Sequence, residues 1–148
     1  MIIAVDPGKI TGLCTYDAGE FRSWQTECWD AIEQVHELLK DHSPPTPYAP
    51  RQEIEAVVCE DYLITPGTLR KTRGENWSMH SIGALMYLCR IFEVPFVLQT
   101  PADAKRFATD TKLKAAGFYH PSTGGHANDS ARHLVTFLAN TKRLDLII

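Results

Sequence analysis

The chain of 148 residues is 44% hydrophobic and 22% charged, a balance typical of one folded domain with a hydrophobic core and unlike that of a disordered protein. No apolar run approaches the roughly 20 residues that cross a bilayer, and no basic segment with a cleavage site opens the chain, so we expect a cytoplasmic protein without membrane contact. The formal net charge of −3, taken alone, argues against a nucleic-acid partner.

The first part of the chain alternates short apolar runs with turns. With turns at Gly8 and Ala18-Gly19, three strands are predicted to form an antiparallel meander: residues 2 to 6, 12 to 17 and 20 to 26. The first strand ends in Asp6, so it delivers a carboxylate into a tight turn. A helix is predicted from Asp30 to His42, and the proline-rich segment 43–50 after it is predicted to be a surface loop.

The middle of the chain adds a second acidic strand. A strand from Ile54 to Cys59 ends at Glu60, and ligands usually bind at strand ends in α/β sheets. Residues 62 to 74 are predicted to be a loop, and Trp77 to Phe92 a buried helix. The remaining predicted elements are a strand from Val94 to Leu98, a helix that starts with Thr100 as its cap and Pro101 at its first position, and a helix over Ser130 to Asn140.

Two further candidate ligands follow a glycine pair near the C-terminal end of the chain. His126 and Asp129 are three residues apart, which places them on one face of the helix that starts there. Gly124-Gly125 just before them is predicted to let the backbone approach closely. We therefore expect an imidazole and a third carboxylate at the start of the last helix.

Each of these candidates has a structural alternative. Asp6 could cap only its turn, and Asp129 could be a first-turn acid favoured by the helix dipole. Glu60 competes with its neighbour Asp61, because strand alternation sends adjacent side chains to opposite faces. His133, one turn beyond Asp129, is interpreted as a satisfied or solvated histidine.

Together Asp6, Glu60, His126 and Asp129 predict a site for divalent metal and phosphodiester chemistry. Two cations held about 3.5 to 4 Å apart by bridging carboxylates activate the attacking water and stabilise the leaving oxygen. Oxygen ligands suit Mg²⁺, and one imidazole makes Mn²⁺ more acceptable. We assign Asp6 as the bridging ligand with Glu60 and Asp129 as outer ligands, whereas His126 is either a ligand or a group that orients the water.

These motifs resemble, in the same order, those of the RuvC family of Holliday junction resolvases, within the ribonuclease H-like nucleases. The matching segments are Asp6-Pro-Gly8 with Thr11-Gly12, Val57-Val-Cys-Glu60, Thr100-Pro-Ala-Asp-Ala-Lys105, and His126-Ala-Asn-Asp129-Ser-Ala131. The segment between Lys105 and Gly125 is compressed, which resembles the compact phage-encoded branch, so that the compartment would be the cytoplasm of a host cell.

The resemblance implies both a fold and an activity. The fold is an α/β domain over residues 1–148 with a ribonuclease H-like mixed five-stranded sheet, three antiparallel strands followed by parallel strands, flanked by helices. The activity is that of a metal-dependent crossover junction endodeoxyribonuclease, which uses Mg²⁺ or Mn²⁺ to cut branched DNA during recombination, repair or replication, with forks and flaps as further candidate substrates. Symmetric cutting implies a homodimer.

Basic side chains are concentrated in the middle of the chain. Residues 62 to 118 hold eight basic and four acidic side chains, whereas residues 1 to 61 hold four basic and twelve acidic ones. The predicted DNA-phosphate contacts are Arg70, Lys71 and Arg73 after Glu60, with Lys105, Arg106, Lys112 and Lys114 as a second group. Tyr62 is a candidate for stacking on an unpaired base, or simply a core residue. The family's commoner aromatic position, three places after the acid, holds Leu63.

Three further expectations concern partners and alternatives. The helix Trp77 to Phe92 is apolar on more than one side, with Gly83 and Ala84 allowing close approach, so it predicts either a dimer interface or burial within the monomer. The apolar residues 144–148 are expected to dock on the domain or on its partner. The alternative functions are an ATP phosphotransferase of the actin and sugar-kinase kind, and a catalytically inactive DNA-binding protein of the same fold.

Overall fold

The computed structural model of the chain describes residues 1–42, 53–121 and 124–143. The surface loop predicted for 43–50 and the docking segment predicted for 144–148 lie outside these described residues. The described part is built on one mixed sheet of five strands: β1 (Ile2–Asp6), β2 (Ile10–Asp17), β3 (Glu20–Glu27), β4 (Ala56–Glu60) and β5 (Phe96–Gln99).

The sheet has the strand order β3-β2-β1-β4-β5. Strand β1 is antiparallel to β2 and parallel to β4, β2 is antiparallel to β3, and β4 is parallel to β5. Between β2 and β3 the chain turns through Ala18 and Gly19, which both have positive φ, as a two-residue hairpin requires. The predicted meander followed by parallel strands is confirmed.

Helices cover both faces of the sheet. In chain order they are α1 (Cys28–Asp41), α2 (Trp77–Ile91), α3 (Pro101–Phe107), α4 (Asp110–Ala115) and α5 (His126–Asn140), with two 3-10 turns at Thr68–Arg70 and Arg73–Glu75. Among the described residues, no helix is both long enough and apolar enough to span a membrane.

Side-chain alternation along β1 divides the core into two clusters. Ile2 and Ala4 pack in one cluster with Leu134 of α5, whereas Ile3 and Val5 pack in the other with side chains of α1 and α2. Because successive side chains of a strand point to opposite faces, Asp6 continues the face of Ile2 and Ala4. The last residue of β1 is therefore directed towards α5.

Several predicted strand limits differ from the observed ones by one or two residues. Strand β3 ends one residue later than predicted, at Glu27, and β4 runs from Ala56 to Glu60 rather than from Ile54 to Cys59. The strand predicted from Val94 to Leu98 is β5, which begins only at Phe96, because the N–H of Val94 donates to the carbonyl of Cys89 at 2.9 Å and closes the end of α2. Strand β2 begins at Ile10, two residues before its predicted start, because Ile10 pairs with Glu27 at the far end of β3.

Helix α2 is not the buried helix that was predicted. Only Ser81, Leu85 and Cys89 of this helix are buried. The opposite side is exposed because α2 packs in a single helical layer over the sheet. Four large apolar side chains on α2 are each more than half exposed: Met79, Met86, Tyr87 and Ile91.

Candidate active site

Asp6 and Glu60 end two adjacent parallel strands at the same edge of the sheet. The register pairs Val5 with Cys59, so the two acids that follow lie side by side. Asp6 is only 7% exposed. Burial raises the pKa of Asp6, and the negative charge of Glu60 raises it further. The carboxylate of Asp61 instead accepts a hydrogen bond from the N–H of Tyr62 at 2.8 Å. The structure therefore places Glu60, rather than Asp61, beside Asp6.

His126 reaches Asp6 from the first residue of α5. Its Nδ1 lies 2.9 Å from Oδ2 of Asp6. This approach depends on Gly12, which pairs with Asp6 across the sheet. A Cβ on Gly12 would lie 1.8 Å from the carbonyl oxygen of His126, so a larger residue cannot occupy this position without moving α5. A lone glycine inside a strand is the sequence signal for such an approach.

The glycine pair before α5 has a different role from the predicted one. Gly124 and Gly125 have φ of +93° and +78°, the left-handed region that favours glycine. A Cβ on Gly125 would meet nothing within 4 Å, and one on Gly124 only ordinary contacts. The prediction of close approach at this pair is therefore wrong. The pair turns the chain into the helix, and Gly12 provides the close approach.

Glu60 is held by a histidine that the sequence did not connect with it. Nε2 of His133 lies 2.9 Å from Oε2 of Glu60, and its Nδ1 lies 3.0 Å from Oε1 of Gln99 at the end of β5. His133 is 1% exposed. It is a satisfied buried histidine, one of the two interpretations that its sequence position allowed. Its partner, however, is a candidate ligand.

Asp129 is tied to neighbouring cations. Arg132 donates from Nε to Oδ1 of Asp129 at 3.0 Å, and Nζ of Lys105 lies 3.4 Å from Oδ2. Arg132 also donates to the carbonyl of Ala108 at 2.9 Å and to the carboxylate of Asp110. Asp129 is thereby connected to α3 and α4. Arg132 was not among the predicted site residues, although its spacing of three from Asp129 is a helical ion-pair spacing.

The carboxylates share one region of negative potential. Burial raises the pKa of Asp6 from 3.8 to about 6, and the charges of Glu60 and Asp129 add to the rise. The hydrogen bond with His126 opposes it. A site where ionised carboxylates repel one another in this way favours a bound cation.

The donor set fits a hard divalent cation, although the side chains do not form a finished cage. In the described part of the chain, no group of three or more His, Cys, Asp or Glu side chains is arranged to hold a metal ion. Asp6 and His126 are in contact, whereas Glu60 and Asp129 influence Asp6 through their charge and contact other residues. Buried, mutually repelling carboxylates with one imidazole are the donor chemistry that Mg²⁺ and Mn²⁺ accept.

The predicted DNA contacts on the loop after β4 are exposed. Arg70, Lys71 and Arg73 lie in or beside the two 3-10 turns, and all three side chains are exposed. Tyr62 is half-buried, and its hydroxyl donates to Oδ1 of Asn76 at 2.7 Å, immediately before α2. The loop therefore presents three cations next to the strand that ends in Glu60.

The second basic group lies on α3 and α4. Arg106 is exposed, and Lys105 contacts Asp129. Nζ of Lys112 lies 4.7 Å from the ring centre of Phe107, and Nζ of Lys114 lies 4.5 Å from that of Tyr119. These cation–π contacts orient two of the four cations.

Comparison with known proteins identifies the fold. No family model and no curated protein sequence matches the chain. The structure of Thermus thermophilus RuvC in complex with a Holliday junction substrate matches with a TM-score of 0.62 at 15% identity, over 96% of each chain. T. thermophilus RuvC in a second structure matches with a TM-score of 0.57 at 16% identity, again over 96% of each chain.

A viral protein gives a third match. The Holliday junction resolvase of fowlpox virus has a TM-score of 0.52 at 12% identity, over 95% of this chain and 98% of the other. These similarities confirm the ribonuclease H-like fold that the family resemblance implied. At such identities they establish a shared fold, and the activity has to be argued from the site.

Proposed function

We propose that this chain is a RuvC-type, metal-dependent endonuclease that hydrolyses phosphodiester bonds in branched DNA, acting as a single-domain protomer. The observation that carries the proposal is the convergence of Asp6, Glu60 and Asp129, with His126, at one end of the sheet. The same fold occurs in a RuvC bound to a Holliday junction substrate and in a fowlpox resolvase bound to Holliday junction DNA. Fold and donor set therefore support the same chemistry.

The positions of the four side chains suggest a different role for each in metal binding. Asp6, the most buried and central carboxylate, is the proposed bridging ligand, and Glu60 and Asp129 are the proposed outer ligands. When bound, divalent ions would supply the Lewis acidity that lowers the pKa of the attacking water and stabilises the leaving 3′ oxygen. His126 is in contact with Asp6, from where it either binds metal or orients the water.

The exposed cations are the proposed DNA contacts. Arg70, Lys71 and Arg73 on the loop beside Glu60 would contact phosphates near the cut, and Lys105, Arg106, Lys112 and Lys114 would contact the backbone on the side of Asp129. Such contacts position DNA without specifying its sequence. Discrimination between four-way junctions, forks and flaps would then come from the geometry of the branch.

Two active sites that face opposite strands require two copies of the chain. The outer side of α2 is the proposed interface, because it exposes Met79, Met86, Tyr87 and Ile91 along one helix. Gly83 lies among them, and a Cβ there would meet nothing within 4 Å, so a partner helix has room to approach. A homodimer formed through this surface would bury apolar area that the monomer leaves in water.

The two alternative functions are less favoured. An ATP phosphotransferase of the actin and sugar-kinase kind encloses its nucleotide between two such domains, whereas this chain aligns with RuvC over 96% of both lengths. In an inactive DNA-binding protein, the buried Asp6 would have no function that offsets its cost. Burial and the charges of Glu60 and Asp129 destabilise its ionised form. DNA cutting without ATP turnover would indicate the endonuclease. ATP turnover would indicate the phosphotransferase, and the absence of both activities would indicate the inactive DNA-binding protein.

Nicking of labelled four-way junction, fork and linear duplex DNA tests the proposal. The parent protein should cut branched substrates in Mg²⁺ or Mn²⁺, and chelator should abolish cutting. Asp6→Asn, which keeps the shape of the side chain but removes its charge, should reduce cutting to background. Asp61→Asn is the matched control, because it removes a neighbouring charge but can still accept the hydrogen bond from Tyr62. Equal cutting by Asp6→Asn and the parent would overturn the proposal.

A further inference from the structure

A buried chain of hydrogen bonds runs from the end of β5 through α5 to the end of β4. The amide oxygen of Gln99 lies 3.0 Å from Nδ1 of His133, and Nε2 of His133 lies 2.9 Å from Oε2 of Glu60. His133 comes from the second turn of α5, and it is 1% exposed. Strands β4 and β5 pair Glu60 with Gln99, so both partners lie at the same level of the sheet.

This arrangement restricts the most mobile of the candidate ligands. A glutamate side chain has three rotatable bonds, and fixing such a chain costs conformational entropy. A hydrogen bond from a buried ring that is itself held on its other nitrogen reduces that cost before any ligand binds. Only Oε2 of Glu60 takes part in this contact, and a carboxylate has about four acceptor sites in total. Glu60 therefore keeps acceptor capacity for a cation.

The chemistry of the contact requires a donor at Nε2. An ionised carboxylate only accepts hydrogen bonds, so Nε2 of His133 must carry the proton that faces Glu60. An unprotonated Nδ1 and the amide oxygen of Gln99 are both acceptors, so with the proton on Nε2 the Gln99 amide must turn its NH2 group towards Nδ1. The amide then sets the plane of the ring from the opposite side. With almost no exposure to solvent, His133 cannot replace either partner with water.

We propose that His133, oriented by Gln99, is a positioning residue that holds the Glu60 carboxylate in place for a divalent cation. The inference rests on the proposed function, because it assumes that Glu60 is a metal ligand. Partners of this kind orient the ligands of metal sites, and their loss typically weakens metal affinity about 10- to 100-fold.

Substitutions at His133 separate positioning from mere packing. His133→Gln retains an amide donor at the distance of Nε2, whereas His133→Asn retains one only at the distance of Nδ1. His133→Leu removes both ring nitrogens and keeps an apolar side chain. The binding of Mn²⁺ is measured by titration calorimetry on the protein without DNA, and thermal unfolding is followed for each variant.

The expected order of Mn²⁺ affinity distinguishes the outcomes. His133→Asn and His133→Leu should bind Mn²⁺ about 10- to 100-fold more weakly than the parent, and His133→Gln should recover most of the affinity. Affinity equal to that of the parent in all three variants would overturn the positioning role. Equal weakening in all three, with unchanged thermal unfolding, would overturn it as well, because the position of the donor would then be irrelevant.

Two further variants keep the test decisive. If substitution of the buried His133 prevents folding, Gln99→Met removes the outer hydrogen bond from a partly exposed strand end, and it should weaken Mn²⁺ binding without unfolding the chain. Unchanged affinity in Gln99→Met would then refute the inference. Asp6→Asn identifies failure of the proposed function itself: if the parent and Asp6→Asn bind Mn²⁺ equally, or neither binds it, the metal centre is lost and the inference with it.

Discussion

Replacement of Gly12 by alanine should disrupt the candidate site from a position that contributes no side chain to it. The added Cβ would lie 1.8 Å from the carbonyl oxygen of His126, 2.3 Å from its carbonyl carbon and 3.1 Å from the nitrogen of Ala127. All three are backbone atoms, so no side-chain rotation relieves the contact. The 1.8 Å separation must grow to at least 3.0 Å, which is the closest approach that real Cβ atoms show.

The displacement falls on the part of α5 that carries the site. Strand β2 is held on both sides, by β1 and by β3, so the start of α5 is the element that can move. Moving the start of α5 separates His126 from Asp6, whose side chains are 2.9 Å apart. It also displaces Asp129, which lies one turn further along the helix. Overpacking of this kind costs about 1–3 kcal/mol, and a clash between backbone atoms belongs in the upper part of that range.

Denaturant unfolding and Mn²⁺ calorimetry on the metal-free protein measure the two effects. Gly12→Ala should lower the free energy of unfolding and weaken Mn²⁺ binding together. Gly74→Ala is the matched control, because its Cβ would meet nothing within 4 Å, and it should change stability by less than about 0.5 kcal/mol. If Gly12→Ala is as stable as Gly74→Ala and binds Mn²⁺ as tightly, the close approach of α5 to β2 does not determine the site.

Three more outcomes are expected. The pKa of Asp6 is raised to about 6 in the folded chain, so the metal-free protein should lose stability as pH rises from about 4 to 6. Asp6→Asn should lose less stability over the same range. Denaturant titrations at both pH values measure the two losses, and equal losses would contradict the prediction. Met86→Lys, on the exposed side of α2, should shift the chain from dimer to monomer in sedimentation, whereas an unchanged dimer would place the interface elsewhere. Lys71→Gln should weaken DNA binding at low salt and reduce the salt slope by about 1, and an unaltered slope would remove this residue from the phosphate contacts.

Local patterns were sufficient for most of the sheet. The unbroken apolar run that ends in Asp6, and the Ala18-Gly19 turn, specify β1 to β3, because hairpins depend on neighbours in the chain. Helix α2 shows the limit of such patterns. Apolar residues on several sides of a helix do not distinguish the core from an interface, and only the single helical layer over the sheet shows that Met86 and Tyr87 face outwards.

The candidate ligands could be selected from their places at strand ends and at a helix start, since those positions follow from local sequence. Their partners could not. Glu60 and His133 are 73 positions apart, and the Gln99 contact joins residues 34 positions apart. The choice of Glu60 over Asp61 follows from the parallel register of β4 with β1, which no local pattern encodes.

The chemical composition of the candidate site, three carboxylates and an imidazole, can therefore be predicted from the sequence, because strand ends and helix starts are local features. Only the folded structure shows which side chains hold those groups. His126 contacts Asp6 and His133 contacts Glu60. Arg132 and Lys105 contact Asp129. The physical reason is that hydrogen bonds and charge repulsion depend on distance in space. That distance is set by the register of the sheet and by the one glycine that lets α5 approach it.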